Sequence, residues 1–593
     1  MAGDEPLLAR PTSEHSSERE YEEEDALLTG QRSNRTSTTH QRWREIGLFV
    51  WALIATVVII VLATVVQHEH SVSHSRGETS GGWGKDGRPT GKRNMIFMVS
   101  DGMGPTSLSL TRSYRQFESG LPIGDTLVLD KHLIGSSRTR STSSLITDSA
   151  AGATAFGCGK KSYNGAIAVL PDHSPCATVL EAAKKAGYMT GLVVTTRITD
   201  ATPACFASHA NRREYEDLIA EQEIGNHPLG RTVDLIFGGG RCHFLPNSTE
   251  GSCRDDDKDV VAMAKDNGFS YIDSRKAFDN LDIGTGVKLP LLGLFALLDI
   301  PYEIDRVHAP ELHPSQAEMT RVALKALSAA TKDSDKGFFV MIEGSRIDHT
   351  GHGNDPAAQV HEVLAHDAAF EAVLDFLEHD ENEGVLVGTS DHETGGLAVG
   401  VQLTDEYPPY HWFPEVLANA SHSAEYLQHK WFQWLREEGS NADLFTQAQY
   451  IRETLIEDGL GISDVSDEEV DAIIHATPLK PPAYLLANMI SRKAHVGWTT
   501  HGHTAVDVNI YASSPQHAPQ LVGNHENTEI GNFIAKYLDL DLEPLTEELK
   551  RKNIEMGQPH ASAAVDEVAA SGRNLDPDHG DLSTHGGVEH VAG

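Results

Sequence analysis

Short apolar runs that end in a carboxylate recur along this chain, and they restrict its fold more than any other feature. Asn94-Met95-Ile96-Phe97-Met98-Val99-Ser100 runs into Asp101-Gly102-Met103-Gly104, Phe338 to Ile342 into Glu343, and Val385 to Ser390 into Asp391-His392. Further runs lie at Gly191 to Thr195 and Val233 to Phe237, and helical stretches such as Ala177 to Ala186 and Pro356 to Leu377 stand between them. A run with no polar alternation is a strand buried on both faces. Strands of that kind separated by helices predict an α/β fold, a mainly parallel central sheet covered by helices on both faces. Ligands of such sheets bind beyond the carboxyl ends of the strands. Asp101, Glu343, Asp391 and His392 are therefore expected along one edge. Carboxylates crowded there repel one another, and divalent cations are the natural means of keeping them ionised together.

Two further segments add ligand types. Glu343-Gly344-Ser345-Arg346-Ile347-Asp348-His349-Thr350-Gly351-His352 places a carboxylate, Asp348, and an imidazole, His352, four residues apart, a spacing that lets both grip one ion. Trp498-Thr499-Thr500-His501-Gly502-His503-Thr504 supplies more imidazole just before an expected strand, Val506 to Tyr511. Histidine and aspartate without thiolate suit Zn²⁺ in a catalytic site, and an all-oxygen subset suits Mg²⁺. A nucleophile is offered by Ile146-Thr147-Asp148-Ser149-Ala150-Ala151-Gly152-Ala153-Thr154-Ala155, which reads as a helix beginning at Ser149. Backbone N–H groups at such a start favour a phosphate, and a neighbouring divalent ion would activate the hydroxyl without a histidine base. The other reading is that Asp148 or Ser149 only caps the helix.

Bulk properties narrow the partners. A formal net charge of −38 argues against nucleic acid, which needs clustered Lys and Arg. None of the five cysteines forms a C-x-x-C pair, so zinc held through sulfur is not expected. Cys242 and Cys253 flank a short polar stretch that an oxidising compartment would close as a disulfide; the alternative is two free thiols. Ile46 to Val66 is an uncharged stretch of 21 residues, long enough to span a bilayer as a helix. With 45 residues before it, it reads as a retained signal anchor rather than a cleaved leader. Arg42 and Arg44 place the N-terminus in the cytoplasm and everything after Val66 on the lumenal side. Residues 1–45 read as a disordered cytoplasmic tail. In it, Glu23-Glu24-Asp25-Ala26-Leu27-Leu28 resembles an acidic dileucine signal through which a sorting adaptor would engage Leu27 and Leu28; the bland reading is a solvated acidic run. Residues 67–91 form a flexible stalk. A catalytic domain is expected over 92–545, with a helical and irregular insertion at about 407–492, and residues 546–593 are expected to be a largely disordered tail.

Six motifs, in order, resemble those of the alkaline phosphatase family over roughly 94–540: Asp101-Gly102-Met103-Gly104, Thr147-Asp148-Ser149-Ala150-Ala151, Asp200-Ala201-Thr202-Pro203-Ala204, Glu343 to Asp348, Thr389-Ser390-Asp391-His392-Glu393-Thr394-Gly395-Gly396, and His501-Gly502-His503. With its short tail and single anchor, the chain is most similar to the fungal, vacuolar, membrane-anchored members. The resemblance implies hydrolysis of phosphate monoesters with two zinc ions and one magnesium. One zinc would be held by Asp348, His352 and His503, the second by Asp101, Asp391 and His392, and magnesium by Asp101, Thr202 and Glu343. Ser149 would be the nucleophile of a phosphoserine intermediate, and Arg213 the phosphate clamp, with Arg212 the alternative register. Asp200 resembles bacterial members and His349 animal ones, a mixed pair that leaves the tightness of the magnesium site open. The resemblance also implies a homodimer on a vacuolar or lysosome-like membrane. Asn247 and Asn419 stand in N-x-Ser/Thr sequons and would carry glycans on the lumenal side. Rival readings are a phosphodiesterase or sulfatase, although the sulfatase C-x-P-x-R motif is absent, and a non-catalytic membrane receptor keeping the fold.

Overall fold

The structure, a computed structural model, describes residues 50–51, 55–56, 91–552 and 554–559. The tail 1–45 with Leu27 and Leu28, nearly all of the apolar segment 46–66, and the stalk up to 90 lie outside the described residues. Of the first of two compact units, Met1–Glu78, only the four helical positions 50–51 and 55–56 are described; the second, Thr79–Gly593, carries the fold. Among the described residues no helix is long and apolar enough to cross a membrane.

Among the described residues, ten strands form one sheet: β1 (Arg93–Val99), β2 (Leu133–Arg138), β3 (Met189–Arg197), β4 (Leu235–Gly239), β5 (Ser270–Ile272), β6 (Leu291–Leu294), β7 (Phe338–Glu343), β8 (Glu383–Thr389), β9 (Val508–Ala512) and β10 (Gly523–Glu526). Their spatial order is β10-β2-β9-β8-β1-β7-β3-β4-β6-β5. Only β9 runs against its neighbours; every other pairing in the sheet is parallel. The uniform apolarity of the central strands has a simple cause. In β1, Met95, Phe97 and Val99 face a core shared with Phe339, Met341, Val385 and Val387. Ile96 and Met98 point the other way, into a second core with Phe338, Val340, Ile342 and Leu386. Both alternating faces are buried, so no polar alternation survives.

Seven helices matter for the site: α1 (Ser149–Cys158), α2 (Val179–Lys185), α3 (Ala201–Ala207), α4 (Arg346–Gly353), α5 (Pro356–His379), α6 (Pro482–Ala494) and α7 (Glu543–Arg551). The aromatic region forms helices from Pro414 to Ala494 around a third core that includes Leu427, Trp431, Leu455, Leu486 and Ile490. The expected tail boundary at 546 is corrected: it falls inside α7. Leu545 and Leu549, one turn apart on a highly charged helix, are buried together with Ala177, Ala182 and Ile554, and Asn211 N–H donates to Met556 O at 2.8 Å. Two apolar residues at i and i+4 suffice to dock a helix whose composition reads as solvated. Cys242 and Cys253 are disulfide-bonded, as are Cys158 and Cys176, while Cys205 is a buried free thiol.

A buried ion pair fastens the segment that leads to Arg213. Glu181 closes a capping box with Thr178 at the start of α2, and its other oxygen lies 3.0 Å from His209 Nε2. His209 Nδ1 meets the Ala168 carbonyl at 2.9 Å, so the protonated ring donates from both nitrogens, which favours the imidazolium. His227 Nε2 stands 3.7 Å from the same carboxylate oxygen, but its Nδ1 accepts from Leu229 N–H. The proton of neutral His227 is thus on Nε2, which argues against a metal ion between these three side chains. Burial alone would raise the Glu181 carboxyl; His209 holds it below its ordinary value of 4.5. Burial opposes protonation of His209, and Glu181 raises it above 6.5. The pair is therefore complete between those two values. Its contribution is lost as pH rises through the raised histidine value, or falls through the depressed glutamate value. Glu181→Gln, which keeps the cap, is expected to cost about 3–5 kcal/mol near pH 6 and less at alkaline pH, where His209 is neutral in both proteins. Urea unfolding at two pH values checks this, and a penalty independent of pH would contradict it.

Candidate active site and metal centre

The sheet brings the predicted carboxylates together because β1 lies between β7 and β8, with Val99 in register with both Glu343 and Thr389. The chain leaves β1 at Asp101 and turns at Gly102, whose φ of +75° suits glycine; a Cβ there would come within 2.5 Å of Asp348 Cα. The turn thus lets the first strand end pack directly on α4. Beyond β8, His392 is fully buried. Its Nε2 lies 3.2 Å from Asp391 Oδ2 and 3.6 Å from Asp101 Oδ1.

Ser149 Oγ reaches the same point, 3.0 Å from His392 Nε2. The cap of α1 is Asp148, which accepts from Ala151 N–H at 2.9 Å and from Gly165 N–H at 2.8 Å. Ser149 therefore does not serve as the cap and its hydroxyl faces the cluster. Every residue of α1 is buried, and a Cβ on Gly152 would sit 3.0 Å from Asp391 Cβ. The small residues of the motif are needed for this close approach of helix to strand end.

On the other side, α4 presents Asp348 and His352 one turn apart, with His352 Nε2 3.2 Å from Asp348 Oδ2. His503 Nε2 lies 3.1 Å from His352 Nε2 and 3.6 Å from Asp348 Oδ1. The His392 and His503 rings stack at 3.6 Å, joining the two sets. Their other nitrogens are held: His503 Nδ1 meets Thr147 O at 2.8 Å, and His392 Nδ1 meets Thr394 Oγ1 at 3.2 Å. Thr394 in turn donates to Asp348. These bonds suit a ring proton on Nδ1 and turn each Nε2 into the cluster, the way the outer nitrogens of metal-ligating histidines are held.

Glu343 is buried and accepts from Ser345 Oγ at 2.6 Å. Asp101 Oδ1 is buried without a hydrogen-bond partner, the buried hydroxyl of Thr202, on α3, makes no well-aligned hydrogen bond, and Asp391 Oδ2 has only the ring nitrogen of His392 beside it. Burial, then the charges of Asp391, Asp348 and Glu343, push the Asp101 carboxyl well above the usual range. Burial is also the main cause that takes Glu343 up to about 8, with Asp200 and Asp391 adding to it. Buried oxygens on carboxylates that cannot all ionise together, beside three imidazoles whose Nε2 atoms converge on them, fit divalent cations. The mixed nitrogen and oxygen sets suit zinc and the all-oxygen set suits magnesium.

Arg213, rather than Arg212, faces this centre. Its Nη2 donates to Asp200 Oδ1 at 2.9 Å and its Nη1 lies 3.6 Å from Asp148 Oδ2, whereas Arg212 pairs with Glu214. Asp200 caps α3 by accepting from Ala201 N–H at 2.7 Å. Its second oxygen takes Arg197 Nη2 at 3.3 Å. Sequence reasoning missed Arg197, which also binds Glu216 and Asp299 at 2.9 Å each. It stands at the end of β3, where a strand-end motif search for acids and imidazoles passes over it. His349 accepts from Arg346 Nε at 3.2 Å and lies 3.8 Å from Asp299. Asn247, in the loop closed by Cys242 and Cys253, and Asn419, at the end of the helix Pro414–Ala418, are both exposed.

A family model described as alkaline phosphatase matches residues 92–540. The repressible alkaline phosphatase of Saccharomyces cerevisiae is 53% identical over 478 residues, covering 77% of this chain and 83% of that protein. The alkaline phosphatase of Schizosaccharomyces pombe is 46% identical over 547 residues, 92% of this chain and 97% of its own. Among solved structures, that of Thermus thermophilus alkaline phosphatase superposes with a TM-score of 0.64 at 26% identity, covering 80% of this chain and 99% of that one.

Proposed function

The chain belongs to the alkaline phosphatase family, and from that premise we propose that it hydrolyses phosphate monoesters through a phosphoserine on Ser149, with two zinc ions and one magnesium. The observation that carries this is Ser149 Oγ lying 3.0 Å from His392 Nε2, inside a buried cluster of metal-ligand types and at the start of a helix. Asp348, His352 and His503 would hold one zinc, Asp101, Asp391 and His392 the other, and Asp101, Thr202 and Glu343 the magnesium. The ions, when bound, act as Lewis acids that acidify the serine hydroxyl and water and neutralise developing charge.

The chain's own residues do the rest. Arg213 offers a planar fork to two phosphoryl oxygens. Asp148 and Asp200 hold that fork in place, and the start of α1, where Ser149 stands, would favour the phosphoryl group's negative charge. Ser149 Oγ forms a bond to phosphorus as the ester P–O bond breaks, and the proton lost from the serine hydroxyl is balanced by the one the leaving alkoxide takes up as it departs as alcohol. Water then attacks the phosphoserine, the Oγ–P bond breaks, one proton of the water goes to Oγ, and inorganic phosphate leaves. Phosphate monoester hydrolysis needs a barrier reduction on the order of 20 kcal/mol or more, which positioning and preorganised charge are suited to supply.

The test is a comparison of monoester, diester and sulfate ester turnover by the same preparation, with acid-quenched protein digested to locate bound phosphate. A monoester preference with phosphate on the Ser149 peptide is expected; faster turnover of a diester or sulfate ester overturns the reading. A serine nucleophile in place of the threonine usual in phosphodiesterase relatives favours the monoester.

The setting belongs to the same proposal. The apolar stretch 46–66 would anchor the chain in a vacuolar or lysosome-like membrane with the N-terminus cytoplasmic, an adaptor reading Leu27 and Leu28, and the domain lumenal as a homodimer. The disulfides Cys158–Cys176 and Cys242–Cys253 and the exposed sequons at Asn247 and Asn419 support an oxidising, lumenal location.

A further inference from the structure

His352 differs from the other two imidazoles in that the hold on its outer nitrogen is reciprocated. Its Nδ1 donates to the backbone carbonyl of His501. In return, His501 Nδ1 donates to the backbone carbonyl of His352 at 2.7 Å. His352 sits in the last turn of α4, where main-chain carbonyls have no partner within the helix. The His501 side chain therefore caps the helix that carries both Asp348 and His352, while its main chain fixes the tautomer and aim of the His352 ring. Asn354, in the left-handed conformation that ends α4, adds a stitch of its own: its Nδ2 donates to Gly351 O at 2.8 Å and to Thr500 O at 3.0 Å.

The helical insertion, which lies between β8 and β9 in sequence, reaches this junction through α6. Tyr484, on α6, lies flat on the His501 ring, with centroids 4.0 Å apart and planes 7° from parallel. Ser491, also on α6, donates to Asn354 O at 3.0 Å and accepts from Trp498 Nε1 at 3.0 Å. The loop 498–503, the end of α4 and α6 thus meet at one knot, and His501 is the residue common to the stacking contact and the reciprocal pair.

We infer that His501 and Tyr484 are positioning residues for the ion held by Asp348, His352 and His503, and that through them α6 makes occupancy of this one metal position depend on the helical insertion. The inference rests on the reading of those three residues as a zinc site. His501 need not touch zinc or substrate. Its side chain sets where the end of α4 lies, and hence whether His352 Nε2 converges with Asp348 and His503. Partners of this kind alter metal affinity on the order of 10- to 100-fold.

The experiment is a titration of the zinc-loaded full chain against a competing chelator, with metal counted per chain at each step. In His501→Leu, which removes the donor but keeps an apolar body, one zinc is expected to leave at a free-metal level about 10- to 100-fold higher than in the natural protein, while the second is retained as before. His501→Asn, whose side-chain amide can present an N–H near the place of Nδ1, is expected to recover most of that loss. Tyr484→Leu is expected to lie between. Zinc retention in His501→Leu equal to that of the natural protein overturns the inference, as does equal loss of both ions, which would mark a general loosening. A natural protein that binds no zinc at all would overturn the metal reading itself, and the inference with it.

Discussion

Ser149→Ala is expected to lower monoester turnover by at least about 10⁴-fold, in the range seen when a nucleophile is removed from an assembled site, without loss of bound metal or of the fold. The structure separates these effects. Asp148 accepts the capping hydrogen bonds of α1, so the helix start survives the change. Ser149 is buried among small residues, and removal of one hydroxyl leaves no large cavity. Its hydroxyl meets His392 Nε2, an atom that in the proposed mechanism binds metal and does no general base work. The measurement is steady-state hydrolysis alongside metal content and thermal unfolding. A rate close to that of the natural protein would remove Ser149 from the mechanism, and a collapse of stability would make it a structural residue.

Removing the metal ions is expected to have the second largest effect, abolishing activity and lowering Tm by several degrees, with both restored on adding zinc and magnesium back. Any ion that binds the native state well above its Kd contributes about 3–4 kcal/mol to stability, and here its loss also exposes the mutual repulsion of Asp101, Asp391, Asp348 and Glu343. The pH dependence follows from that repulsion. In the metal-free protein burial and neighbouring carboxylates raise Asp101, and raise Glu343 to about 8. A carboxyl whose folded value lies above its unfolded value disfavours the native state once both forms are ionised. That penalty is relieved as pH falls below the raised folded value. The fall in Tm on chelation is therefore expected to be larger near pH 9 than near pH 6. Differential scanning calorimetry at both pH values checks it, and an equal fall at both would show that the carboxylates are not the source.

Much of this was legible in the sequence where one residue type does one job. The central strands declared themselves because both faces of β1, β7 and β8 are buried, and their acidic ends declared the edge at which Asp101, Glu343, Asp391 and His392 meet. The strands β2 and β10 did not. Leu-Ile-Gly-Ser-Ser-Arg and Gly-Asn-His-Glu carry little apolar signal, and they join the sheet through backbone pairing with neighbours brought in from far along the chain. The disulfide between Cys158 and Cys176 had no local spacing to announce it. The register between Arg212 and Arg213 could not be settled by counting, because it depends on which guanidinium the carboxylates of Asp200 and Asp148 attract. Arg197 escaped for a related reason: its partners, Asp200, Glu216 and Asp299, come from three segments.

The lone reversed strand has a bearing on how the molecule comes into being. β9 lies between β8 and β2, with Val508 opposite Ser137 and Ile510 opposite both Gly135 and Thr389. Half of one side of the sheet, begun early in the chain, waits for a strand made near its end. His503 arrives on the same late segment, just ahead of β9. A ribosome must therefore deliver almost the whole domain before the sheet can close or the reaction centre can exist. Contacts of such sequence separation fold slowly and leave strand edges open meanwhile. The nascent chain is accordingly inert toward its substrate and most in need of protection until its last sixth emerges.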